Sequence, residues 1–144
     1  DWNSHSLRNH NAEGFNAFAA ALLGNPKGFV DGFTAKMFKD QKFPAGEEWI
    51  KTECMKLPPY IGMALYSDYV YSDFTDVLKT ITVPTLVLSA NSGIFPNSIK
   101  QGQWMASQIP QGKFVEFTEG GHMLFYLEAD KFNKVVADFA KGLK

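Results

Sequence analysis

Cysteine is nearly absent: Cys54 is the single one in 144 residues. No internal disulfide can form, and no multi-cysteine metal site exists. A lone thiol suits a reducing compartment, and a cytoplasmic protein is expected. An excess of one charge is also missing. Fourteen basic residues face 15 acidic ones, for a formal net charge of −1, and neither sign gathers into a block. Nucleic acid selects for basic stripes, so it is not expected as a partner. No apolar run approaches the roughly 20 residues of a bilayer span, so no membrane association is expected. The chain opens at Asp1 rather than Met, with no charged-then-apolar leader pattern. The expectation is a piece of a longer protein.

Metal ligands are equally sparse. His5 and His10 lie in a polar stretch, and a spacing of five does not put them on one helix face. Both read as solvated, and neither a metal nor an organic cofactor is expected. Asp73, Asp76, Glu128 and Asp130 suit first turns of helices, where acidic side chains complement the backbone dipole. Cys54 reads as a small core hydrophobe.

Aromatic residues, in contrast, are plentiful, at 15% with 13 Phe. So many rings serve a large core or the wall of an apolar pocket. The hydrophobic pattern changes near residue 80. Before it, helical spacing recurs in four short stretches, 11–23, 26–38, 46–56 and 59–69, separated by Gly24-Asn25-Pro26, a polar loop and Leu57-Pro58-Pro59. Trp49, Ile50 and Cys54 are expected inward on the third, and Ile61, Met63, Ala64 and Leu65 on the fourth. Helices this short bury too little apolar surface alone and need a further layer.

After residue 80, strands and helices alternate. Val83 to Leu88 is aliphatic without polar alternation, as in a strand covered on both faces of a parallel sheet. Residues 97–108 read as a helix capped by Asn97 or Ser98. Lys113 to Phe117 reads as a second strand, and 127–143 as a closing helix with Phe132, Val135, Val136 and Phe139 inward. Strand, helix, strand, helix implies right-handed crossovers and a parallel sheet. Two strands alone leave two open edges. The remaining strands are expected from upstream sequence, another chain or a swapped copy.

Between the second strand and the last helix lies Gly120-Gly121-His122-Met123-Leu124-Phe125. Two glycines allow positive φ and close backbone approach, and an imidazole titrates near neutral pH. A turn of this kind presents a general base. No nucleophile in a recognisable setting precedes it. Gly28-Phe29-Val30-Asp31-Gly32 has the glycine spacing of a nucleophile elbow, but Val30 stands at its centre.

Three segments together resemble the α/β-hydrolases of the haloperoxidase and carboxylesterase type. Asp76 through Leu88 is similar to the family's late-sheet strand, Gly120 through Glu128 to its histidine loop, and Lys131 through Phe139 to its last helix. The four helices before residue 70 resemble the cap inserted after the sixth strand. The resemblance implies a partial α/β-hydrolase fold: a helical cap over 1–72, then the last two parallel strands and their helices over 73–144. It implies ester hydrolysis with His122 as the base, a serine nucleophile and oxyanion loop outside this chain, and no cofactor. A small apolar ester is the implied substrate, and the implied partner is the missing N-terminal half of the fold or a swapped copy of the chain. Phe15, Phe18, Trp49, Met63, Ile94, Phe95 and Met123 are candidates for the pocket wall.

The sequence departs from the pattern in one loop. Members often carry an acid after the late strand, but Ser89-Ala90-Asn91-Ser92-Gly93-Ile94-Phe95-Pro96 has no carboxylate. In other members the acid precedes the cap, which would place it just upstream of Asp1. Asn91 is left as a side chain able to orient an imidazole through its oxygen. The competing expectation is a truncated or disabled relative that binds a ligand or signals. Carbon–carbon hydrolysis and dehalogenation are weaker readings, because the chain carries neither version of the elbow they require.

Overall fold

The computed structural model describes residues 12–38 and 44–143. They form two compact units, one of residues 12–35 and 44–75, the other of 36–38 and 76–143.

The first unit is helical. Helices α1 (Ala12–Gly24), α2 (Pro26–Met37, whose last residues belong to the second unit), α3 (Pro44–Cys54) and α4 (Pro59–Tyr71) follow one another. Three of the four begin at a proline, where the missing N–H is one the helix would leave unpaired anyway. Asn25 Oδ1 accepts a bond from the Gly28 backbone N–H at 3.0 Å, which caps the start of α2. The Gly-x-Val-x-Gly stretch over 28–32 lies inside α2 and forms no elbow.

The core of this unit is built from rings. Tyr66 of α4 stacks on Phe18 with centroids 3.6 Å apart and on Phe15 at 5.7 Å, and Phe18 meets Phe29 edge-on at 4.8 Å. Burial in this stack pushes the Tyr66 phenol above its ordinary pKa, and Tyr69 beside it adds to the shift. Several sequence readings fail here. Trp49 is 65% exposed rather than inward, and Cys54 is exposed rather than a core residue. On α4, Ile61, Ala64 and Leu65 are also exposed, and of the four residues expected inward there only Met63 reaches half-burial. The reason is compositional. Residues 59–71 carry one charge, Asp68, so apolar side chains surround the helix and no polar face marks its outer side.

The second unit is a parallel βαβ arrangement. A 3₁₀ turn, Thr75–Thr80, leads into β1 (Thr85–Ala90), then α5 (Ser98–Gln108) and β2 (Gly112–Phe117). Asp73 starts that turn by accepting the Thr75 N–H at 2.9 Å. The strands pair parallel in the register Thr85↔Gly112 to Ala90↔Phe117. The chain then makes the 3₁₀ turn Gly121–Met123, the single helical turn α6 (Leu124–Leu127) and α7 (Ala129–Lys141). The closing helix read from sequence as continuous is therefore broken at Glu128.

Helices cover both faces of the pair. A Cβ placed on Gly102 of α5 would lie 2.3 Å from Ser89 Oγ and 2.7 Å from the Phe114 ring. This close approach puts α5 on the face carrying Val87, Ser89 and Phe114. On the opposite face Phe117 meets Phe132 of α7 at 6.4 Å, and Lys113 Nζ lies 5.9 Å from the Phe139 ring centroid. Phe117 is fully buried. Within β1 only Ala90 is buried, and Val83, read as strand, lies outside it and is 62% exposed. β2 is the single strand partner of β1 among the described residues, so its other edge stays open and its aliphatic side chains reach only half-burial.

The close approach at Gly102 gives a sharp test. In an exposed helix, Gly→Ala stabilises by about 0.8–1.0 kcal/mol. At Gly102 the added methyl meets a strand, and overpacking costs about 1–3 kcal/mol. Gly102→Ala is expected to lower the urea midpoint of the second unit's unfolding; a raised midpoint would mean that α5 has room to lift off the sheet.

Candidate active site

The parallel register brings Ala90 level with Phe117. The loops after β1 and after β2 therefore leave the sheet at the same end, the carboxyl end, where open α/β sheets bind ligands. Phe95 of the first loop and His122 of the second meet there, with ring centroids 5.4 Å apart and planes inclined at 35°.

Local bonds hold each loop. In the first, Ser92 Oγ accepts the Phe95 N–H at 3.0 Å while the Ser92 N–H donates to the Phe95 carbonyl at 3.1 Å. Ser92 is buried, though polar, because this exchange satisfies it. Asn91 Oδ1 accepts the Ile99 N–H at 3.0 Å and thereby caps α5 from eight residues upstream. The cap expected of Asn97 or Ser98 is thus made by Asn91: Asn97 occupies the N-cap position but makes no side-chain cap bond. The Asn91 oxygen is engaged with the helix rather than with an imidazole.

In the second loop Gly121 adopts φ 52°, the left-handed region open to glycine. Met123 is buried beneath the turn, and its N–H donates to the Gly120 carbonyl at 3.1 Å. Glu128 Oε1 accepts the backbone N–H groups of Glu119 at 2.9 Å and of Gly120 at 2.7 Å. A sequence scan reads Glu128 only as a first-turn acid. Its bonds run back eight and nine residues across a turn, and no periodicity reports such a pairing.

His122 makes no side-chain hydrogen bond to any of the described residues. Its outer edge is exposed while one face lies against Phe95. Partial desolvation holds its pKa below the ordinary imidazole value, so it is neutral at pH 7 and able to accept a proton. An open cleft of about 370 Å³ lies at this end of the sheet, lined by Asn91, Ser92, Gly93, Pro96, Ile99 and Thr118; His122 is not among the residues that line it.

The other candidates are dispersed. Ile94 and Phe95 sit on the cleft-forming loop, and Met123 follows His122. Phe15 and Phe18 belong to the aromatic stack of the first unit, Met63 is half-buried on α4, and Trp49 projects outward. His5 and His10 lie outside the described residues. Among the described residues no cluster of three or more His, Cys, Asp or Glu side chains is placed to hold a metal ion, and no helix is long and apolar enough to cross a membrane.

The Phe95 contact predicts a titration. Because the folded pKa of His122 is depressed, its contribution to stability is complete above the unfolded value and is lost as pH falls through that value toward the folded one. Followed by NMR, the His122 ring protons are expected to titrate below a model peptide. Phe95→Ala should move the midpoint upward toward the ordinary value. An unchanged midpoint would show that Phe95 is not what desolvates the ring.

No family model matches the chain, but individual proteins do. It is 35% identical over 69 residues to the putative carbamate hydrolase RutD of Pantoea ananatis, covering 47% of the chain and 24% of that protein. It is 32% identical over 72 residues to a homoserine O-acetyltransferase of Chloroherpeton thalassium, covering 49% of the chain and 19% of that protein. Solved structures match more of it. A bromoperoxidase from Bacillus anthracis superposes with a TM-score of 0.79 over 88% of the chain and 48% of its own, at 21% identity. An esterase from Exiguobacterium antarcticum gives 0.81 over 96% and 54%, at 16% identity. The chain thus spans about half the length of these structures, and its matches cover a quarter or less of the curated relatives. Its helices, its two parallel strands and the helices packed on them are part of an α/β-hydrolase fold.

Proposed function

We propose that this chain is the C-terminal portion of a serine α/β-hydrolase that cleaves esters, and that His122 is its general base. The observation that carries the reading is the placement of His122: an imidazole on a glycine turn at the carboxyl end of β2, in ring contact with Phe95 from the loop after β1. In this reading a serine from a segment outside the chain attacks the ester carbonyl. His122 accepts the serine proton and returns it to the leaving alcohol, and water then releases the acid by the same route in reverse. The acid that orients His122 also comes from outside the described residues, since Asn91 is committed to α5. The helices up to residue 72 act as the cap, and Ile94 and Phe95 on the loop after β1 face a small apolar substrate. The partner is the N-terminal half of the fold or a swapped copy, and the setting is the cytoplasm, where an exposed Cys54 stays reduced.

One observation favours a second reading. The loop over 89–96 has no carboxylate, and a relative without a working triad would use the same cleft to bind a ligand without turning it over.

The in-frame codons upstream of Asp1 separate the two. A Gly-x-Ser-x-Gly elbow there is expected, and an elbow without a nucleophile would favour the binder. In the complete protein, His122→Ala is expected to lower kcat on a p-nitrophenyl ester by about 10³-fold or more. A loss under about tenfold would remove His122 from the mechanism, since a positioned base contributes on the order of 10²-fold or more.

A further inference from the structure

Glu128 occupies the N-cap position of α7 but makes no side-chain capping hydrogen bond to that helix. Its carboxylate turns the other way. Oε1 takes the successive N–H groups of Glu119 and Gly120, and Oε2 lies 3.7 Å from Lys131 Nζ. Lys131 in turn donates to the Glu116 carbonyl at 2.7 Å and sits 4.4 Å from the Phe117 ring centroid. The end of β2, the glycine turn and the first turn of α7 are thus joined through one carboxylate. The Glu128 side chain is only 12% exposed, and charge-assisted bonds of this kind are about twice as strong as neutral ones. The packing is fitted to this arrangement. A Cβ on Gly120 would lie 2.4 Å from Leu124 Cα and 3.2 Å from Glu128 Oε1, so the loop fits against the carboxylate only with glycine there.

We infer that Glu128 is a positioning residue: by gripping the Glu119 and Gly120 amides it fixes the turn that carries His122 and holds the imidazole against Phe95. It touches neither substrate nor the reacting atoms. What matters is reach and acceptor geometry rather than negative charge. Glutamine keeps an oxygen at the same distance and accepts both amides. Aspartate keeps the charge and is a better cap for α7, but is one methylene too short to reach the loop.

The test compares Glu128→Gln, Glu128→Asp and Glu128→Ala. Its structural arm is the nuclear Overhauser contact between the His122 and Phe95 rings in the 144-residue chain, with the thermal midpoint recorded alongside. Glu128→Gln is expected to keep the contact. Glu128→Asp and Glu128→Ala are expected to lose it, and because aspartate is itself able to cap α7, an undiminished thermal midpoint in that variant shows that loss of fold is not the cause. The kinetic arm rests on His122 being the base and uses the complete hydrolase. There, Asp and Ala are expected to lower kcat by about 10²-fold, the cost of misplacing a catalytic group by about 1 Å, with KM little changed, and Gln rescues most of that loss. Aspartate retaining the ring contact while glutamine loses it would overturn the inference, as would all three variants retaining it. A lost contact with undiminished turnover would uphold Glu128 as the holder of the loop and refute His122 as the base. The His122→Ala variant in the same assay reads that second point independently.

Discussion

The site depends on the parallel register of β1 and β2. Pairing Val87 with Phe114 and Ala90 with Phe117 makes both strands end at one level and send their loops out on one side. An antiparallel pair would send them to opposite ends and separate Phe95 from His122. Parallel pairing in turn requires a crossover of a dozen or more residues. Residues 91–111 supply it, with α5 returning across one face while α7 covers the other. The hydrogen bonds of two short strands stabilise little alone. The arrangement is held by Phe117 and Phe132 on one face, and by the contact of Gly102 with Ser89 and Phe114 on the other.

Two polar side chains then fix the loops that the register brings together. Asn91 ties the first loop to α5, and Glu128 ties the second to α7. Each accepts from backbone N–H groups that are exposed or partly buried, as a capping side chain does, a contribution of about 0.5–2 kcal/mol. Neither anchor lies next in sequence to the residues it restrains. The two rings that meet are thus carried on loops tied by a side chain to the helix that follows, which suits a site that must keep its geometry while one face stays open to solvent.

The sheet region was the more legible part of the sequence. An aliphatic run without alternation, a polar helix and a second apolar run indicate a parallel βαβ unit, and the observed strands differ from the expected spans by at most two residues at either end. His122 was visible because two glycines precede it. The anchors were not: Asn91 bonds eight residues away, and Glu128 eight and nine, distances at which no helical or strand period operates. The helical region was harder for another reason. In 59–71 the apolar residues surround the axis, so Leu65 was read inward although it lies outside, and on α3 the size of Trp49 suggested burial that the fold does not provide. A near-uniform apolar surface identifies a helix but not its inner face.

The state of His122 constrains any catalytic use. In a working triad a carboxylate at the far nitrogen favours imidazolium and raises the pKa of the base, while desolvation alone lowers it. Here only the second influence acts among the described residues. An imidazole of this kind is unprotonated at pH 7, as a base must be, but holds the proton it accepts weakly. Asn91 does not remedy this: turning its oxygen toward His122 would uncap α5, at about 1 kcal/mol, and would add a dipole where a full charge is required. In the proposed reaction Phe95 and the glycine turn would therefore supply position and availability, while stabilisation of the protonated imidazole would have to come from a carboxylate beyond this set of residues. The two requirements are separable, because the first is built by local packing at the end of β2 and the second needs only a charge brought within reach of the exposed edge of the ring.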